Sequence, residues 1–219
     1  DTAGEIAYAA NQTLADAGLA PHSLEQITRR IGGGARILMR GLLADAEATG
    51  PVASALAEGA LARAPAATSA KQTDSTHLLQ RFEHHYAQIA GTLARPYPGC
   101  INSLAQLRAL GIRLVCVTNK EQVFAQQVLH TTGLDVLFDL LIGGDTLAHK
   151  KPHRMVLDHV LQRFHCLTSE MAHVGDSTID VQAARNSGVA AWAVSYGYNA
   201  GVPIAAAQPD LLFDALPDI

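Results

Sequence analysis

Apolar residues recur at helical spacing through the first hundred positions and in short continuous runs thereafter. The first regime predicts helices over Glu5 to Asp16, Leu24 to Ile31, Ala35 to Ala46, Val52 to Leu61 and about Ser75 to Leu93, with no convincing strand among them. Pro21-His22-Ser23 breaks the pattern and offers Ser23 as an N-cap, and Gly32-Gly33-Gly34 breaks it again. The Ala-rich stretch from Ala60 to Ala70, interrupted by Pro65, reads as a loose connection.

The organisation changes at Arg95-Pro96-Tyr97-Pro98-Gly99. Beyond it, short apolar runs at Ile112 to Val117, Leu140 to Ile142, Ala172 to Val174, Ala190 to Val194 and Leu211 to Phe213 alternate with helical segments. Such alternation predicts an α/β architecture, a Rossmann-like doubly wound parallel sheet. Residues 1–95 are then a helical-bundle cap whose first few residues hinge to the core, and residues 96–219 are that core.

Chemistry gathers at the carboxyl ends of three predicted strands, where open α/β sheets bind ligands. Val174-Gly175-Asp176-Ser177-Thr178-Ile179-Asp180 puts two carboxylates four residues apart as a strand gives way to a helix that ends at Ser187-Gly188. Hard oxygen ligands beside an anion site suit a small cation that shares its shell with a phosphate; the plain alternative is that Asp176 caps the helix. The run Ile112 to Val117 ends in Thr118 and Asn119, with backbone N–H groups suited to a phosphate before the helix Glu121 to Leu129. Pro152 fits the first turn of a helix running to Phe164, which holds Lys151 just before it as a point charge for phosphoryl oxygens. Taken singly, Thr118 is an N-cap and Lys151 a solvated loop charge.

The order of these features, Thr at one strand end, then Lys-Lys-Pro, then Gly-Asp-Ser-x-x-Asp, resembles motifs two to four of the haloacid dehalogenase superfamily. Arg95 to Gly99, Val117 to Lys120, Gly143-Gly144-Asp145-Thr146-Leu147, Lys150-Lys151-Pro152-His153 and Val194-Ser195-Tyr196-Gly197-Tyr198-Asn199 look like its bacterial phosphoglycolate phosphatase branch. Asp1 to Ala7 and Ile31 to Arg36 resemble that branch's helical cap. The likeness implies a Mg²⁺-dependent phosphatase that hydrolyses a small phosphate monoester, foremost 2-phosphoglycolate to glycolate, through an aspartyl-phosphate. It implies Thr118, Lys151 and Asp180 as catalytic groups, Thr118, Asn119, Lys151 and Arg36 as substrate-binding, and Asp176 and Asp180 at the metal. Arg36 would grip a substrate carboxylate bidentately from the cap.

One element of the family pattern is absent from residues 1–219. The first motif, a strand followed by Asp-x-Asp-Gly-Thr, carries the nucleophile and its acid–base companion, and no Asp-x-Asp occurs in the sequence. The resemblance implies that it stands just ahead of Asp1, on a strand between those ending at Thr118 and Asp176. Without that strand two apolar strands would each expose an edge.

Composition narrows the remaining readings. With 48% hydrophobic and 16% charged residues the chain can build a core, and a net charge of −4 with no basic cluster longer than a pair argues against a nucleic-acid partner. Cys100, Cys116 and Cys166 are odd in number and lie in apolar contexts, which points to a reducing, cytoplasmic setting. No apolar run reaches ~18 residues, so no membrane span is expected. His84-His85 cannot chelate one metal from adjacent helical positions, and His149, His153, His165 and His173 lack ligand spacing. Gly32-Gly33-Gly34 lacks the Lys-Ser/Thr of a P-loop. The expected partner is a small phosphorylated metabolite, met by a monomer or homodimer. A 2-haloacid dehalogenase, a receiver domain and a binding protein without a nucleophile are the rival readings.

Overall fold

The computed structural model describes residues 1–49 and 75–219, so the expected helix Val52 to Leu61 and the connection Ala60 to Ala70 lie outside the described residues. The helical layer contains α1 (Ala3–Asp16), α2 (Leu24–Thr28), α3 (Ala35–Thr49) and α4 (Ser75–Ile89). The rest alternates α5 (Cys100–Ala109), β1 (Val115–Val117), α6 (Gln122–Thr131), β2 (Leu140–Ile142), α7 (Met155–Phe164), β3 (Ala172–Gly175), α8 (Thr178–Ser187), β4 (Ala190–Val194) and β5 (Leu211–Phe213).

Helical spacing explains the first layer. Ile6, Ala10 and Leu14 fall on one face of α1, and Phe82 and Tyr86 on one face of α4; these faces meet in a cluster with Leu38, Met39 and Leu42 of α3. A fully buried side chain such as Leu14 or Leu42 contributes roughly 1.5–3 kcal/mol relative to exposure. Phe124 of α6 enters the same cluster and stacks edge-on against Tyr86, which seats the helical layer on the sheet layer. Ser23 caps α2 as expected, accepting from the Gln26 amide while the Gln26 side chain accepts from the Ser23 amide. That helix stops at Thr28, three residues early, because Arg30 and Ile31 turn back in tighter bonds to Ile27 and Thr28. Similarly, α4 stops at Ile89 because the Leu93 and Ala94 amides bond to the Glu5 carboxylate, each at 2.8 Å.

All strand pairs are parallel, in two sheets ordered β1-β2 and β3-β4-β5. The first strand is shorter than the run from Ile112 suggested. Leu114 gives its amide to the Asp139 side chain instead of a ladder partner, and Ile112 is exposed. Helix α7 also begins three residues after Pro152, since His153, Met155 and Val156 close a turn over residues 150–156 first. Buried Ala191 and Ala193 of β4 pack with Leu157, Val181 and Ala184, whereas β1 is only half-buried and Val174 of β3 is exposed. No ladder joins β1 to β3 among the described residues, so each has one unpaired edge.

Candidate active site

Three strand ends converge. Ile142 O accepts from the Thr118 amide at 2.9 Å, carrying the β1–β2 ladder one step further, and Thr118 Oγ1 accepts from the Lys120 amide at 3.1 Å. Asn119 is buried; its Nδ2 donates to the carbonyls of Gly32 and Lys151, both at 3.0 Å, and its Oδ1 has no partner among the described residues. Lys150 donates to the Gly33 carbonyl at 2.6 Å. The triple-glycine turn of the helical layer is thus held against the strand ends by its main-chain oxygens. Gly34, at φ +90°, admits that approach, because a Cβ there would lie 2.7 Å from Lys150 Nζ.

Lys151 and Asp180 form the centre. Lys151 Nζ lies 2.6 Å from Asp180 Oδ1 and 2.8 Å from the Val117 carbonyl, with both side chains nearly buried. His173 Nε2 approaches the same carboxylate oxygen at 3.3 Å, while Asp180 Oδ2 accepts from Ser177 Oγ at 2.5 Å and the Ser177 amide at 3.1 Å. Burial alone would raise the Asp180 pKa; Lys151 and His173 outweigh it and hold the carboxyl far below the usual range. Gly175 makes this fit, since a Cβ there would strike the Asp180 side chain.

Asp176 is different. Tyr198 donates its amide to Asp176 Oδ2 at 2.8 Å, and no cationic side chain pairs with Asp176 among the described residues. Burial, with the nearby Asp180 charge, pushes its pKa up. The Tyr198 hydroxyl also takes the Thr2 amide at 2.7 Å, joining the start of α1 to the loop after β4. A half-buried carboxylate with no cation beside it among the described residues fits a hard divalent ion that keeps most of its water shell. Asp180 does not offer itself in the same way, both its oxygens being taken. Among the described residues no three His, Cys, Asp or Glu side chains converge as a metal shell.

These groups line a cavity of about 190 Å³ between the layers. Thr118, Asn119, Lys120, Lys151, Asp176 and Asp180 form its polar side, and Ile6, Ile31, Leu38, Phe82 and Tyr86 its apolar side. Arg36, expected to face the substrate, does not line it. Its position on α3, one residue past buried Ala35, turns it to solvent, where its charge acts on Glu83. Lys120 and Tyr198 stand in the sequence only inside the runs that resemble the family, with no role attached, and Tyr86 and His173 were not legible as site residues.

The sequence profile of haloacid dehalogenase-like hydrolases matches residues 1–194. The chain belongs to this family. Among curated hydrolases of the family, the phosphoglycolate phosphatase of Vibrio parahaemolyticus serotype O3:K6 is 31% identical over 219 residues, covering 100% of this chain and 89% of its own. That of Nitrosospira multiformis is 37% identical over 201 residues, covering 92% and 80%. The crystal structure of a predicted phosphoglycolate phosphatase from Haemophilus somnus 129pt superposes with a TM-score of 0.84 at 29% identity, covering 99% of this chain and 89% of that one. The two parallel sheets and overlying helices are therefore the Rossmann-like α/β core and helical layer of a haloacid dehalogenase-like hydrolase.

Proposed function

We propose that this hydrolase is a Mg²⁺-dependent phosphatase acting on a small phosphate monoester, foremost 2-phosphoglycolate, with glycolate and phosphate as products. The observation that carries the reading is the Lys151 ammonium, fixed by Asp180 and the Val117 carbonyl in one cavity with Thr118 and with Asp176, which has no cationic partner among the described residues. The names of the relatives support the substrate. In this reading residues 1–95 act as a cap over a core of residues 96–219, in a cytoplasmic monomer or homodimer; no described helix is long and apolar enough to cross a membrane.

Thr118 and the Asn119 backbone would bind phosphoryl oxygens, and Lys151 would neutralise their charge in a site that needs no reorganisation because Asp180 already holds the lysine. Asp180 is then a positioning residue and Asp176 the cation ligand. Bound Mg²⁺ offsets the repulsion between a carboxylate nucleophile and the phosphate. The attacking aspartate and its acid–base companion would lie on a strand occupying the space between β1 and β3. The edges of both strands that carry no ladder among the described residues support this.

Phosphate release from 2-phosphoglycolate by the full protein, with Mg²⁺ and with chelator, tests the reading. Metal-dependent release upholds it. Release of halide from a 2-haloacid without metal would replace it with the dehalogenase, and binding of phosphoglycolate without turnover would leave a non-catalytic binding protein.

A further inference from the structure

Lys120 is the cationic group of the cavity that the phosphoryl chemistry leaves unused. Its Nζ donates to the Tyr86 hydroxyl and lies 4.3 Å from the centre of the Tyr86 ring. Tyr86 in turn donates to Glu5 Oε2 at 3.3 Å, and the other Glu5 oxygen is held by the Leu93 and Ala94 amides. The chain of donors therefore runs one way, from ammonium to phenol to carboxylate. Tyr86 spends its only proton on Glu5, so it can anchor Lys120 but cannot itself donate to a ligand. No carboxylate lies within ion-pair distance of Lys120 among the described residues, which leaves two ammonium N–H groups without a charged acceptor beside an apolar wall of Ile6, Leu38 and Phe82.

An ammonium in such surroundings binds an anion more strongly than one in water, because its remaining acceptors are few and the local dielectric is low. Its place in the cavity sets what anion fits. Lys120 lines the same cavity of about 190 Å³ as Thr118 and Lys151, so a ligand that meets all three is small and carries a second anionic group besides its phosphoryl group.

We infer that Lys120, anchored by Tyr86, is the specificity-determining residue that receives the carboxylate of a short phosphorylated acid while Thr118 and Lys151 hold its phosphoryl group. This rests on the phosphatase reading above and moves the carboxylate contact from Arg36 on the exposed face of α3 to a residue that lines the cavity. The rival explanation is that Lys120 and Tyr86 merely tie the two layers together.

The test compares kcat/KM for 2-phosphoglycolate and for 2-hydroxyethyl phosphate, which has the same two-carbon length and no carboxylate, in the full protein. The wild type is expected to prefer phosphoglycolate, and Lys120→Met to reduce that preference by roughly 10- to 100-fold, the scale of one lost hydrogen bond to a charged group. Tyr86→Phe, which keeps the ammonium and removes its anchor, is expected to reduce it by a smaller factor. Parallel losses on both substrates in both variants would overturn the assignment and make Lys120 a tie between layers. A wild type without preference would overturn the phosphoglycolate reading itself, and Lys120 with it; that outcome is visible before any variant is made.

Discussion

Lys151 Nζ is held 2.6 Å from Asp180 Oδ1 and 2.8 Å from the Val117 carbonyl, so one ammonium ties the end of β1 to helix α8, which follows a strand, β3, that shares no ladder with β1 among the described residues. The pair is buried, and truncating either partner strands the other. Asp180→Asn is expected to lower stability by about 3–5 kcal/mol, read by urea unfolding. Lys151→Ala should reduce kcat at least ~10²-fold, the scale for removing one preorganised electrostatic group. Near-normal kcat in Lys151→Ala would remove it from the chemistry.

Asp176 presents the opposite case, a half-buried carboxylate with no cation beside it among the described residues. Asp176→Asn should abolish Mg²⁺-dependent phosphate release while leaving the metal-free protein as stable as the wild type, or more so. Mg²⁺ is expected to raise the Tm of the wild type and not of the variant, since a ligand stabilises only the state that binds it. A Tm rise of equal size in both would place the cation elsewhere.

Burial lowers the Lys120 pKa to about 8, against the opposing charges of Glu5 and Glu121. Between that value and the unfolded value near 10.4, the unfolded chain binds more protons, so stability rises with pH through this window. At neutral pH the charged lysine is a burden on the order of 1–3 kcal/mol. Lys120→Met should therefore raise Tm at pH 7, and its advantage should shrink as the pH climbs past 10. A variant less stable than the wild type at pH 7 would contradict this sign.

Gly34 faces Lys150 and the Asn119 carbonyl at φ +90°. Gly34→Ala combines backbone strain, about 1–2 kcal/mol, with a clash at the contact between layers. The expected result is faster protease cleavage of the helical layer and a raised KM, with unfolding still a single transition. Unchanged KM and cleavage would show that this contact is dispensable.

The sequence carried much of this arrangement. Alternation of helical and strand-like runs was enough to order the sheet layer, and the strand ends at Thr118 and Asp176 followed from apolar runs that stop at polar groups. Ser23 announced its own capping box. What periodicity could not carry was any contact between residues distant in the chain. Glu5 ending α4, Tyr198 reaching Thr2 and Tyr86 anchoring Lys120 each join positions more than thirty residues apart. Strand ends such as Leu114 were also hidden, because a side chain, Asp139, replaced the backbone partner that the pattern assumes. Arg36 was misplaced for a related reason: proximity to a glycine turn fixes a residue along the chain and says nothing of which way its side chain faces.

The seam between the layers has a further consequence. The turn at residues 32–34 meets the sheet layer through the carbonyl oxygens of Gly32 and Gly33, which Asn119 and Lys150 grip. Every residue possesses such an oxygen. At this turn the contact is thus written in the main chain on one side and in two side chains on the other, beside the side-chain contact of Phe124 with Tyr86. A helical layer transplanted from a relative would need the turn's backbone path and a glycine at position 34 as well as an aromatic ring to meet Phe124.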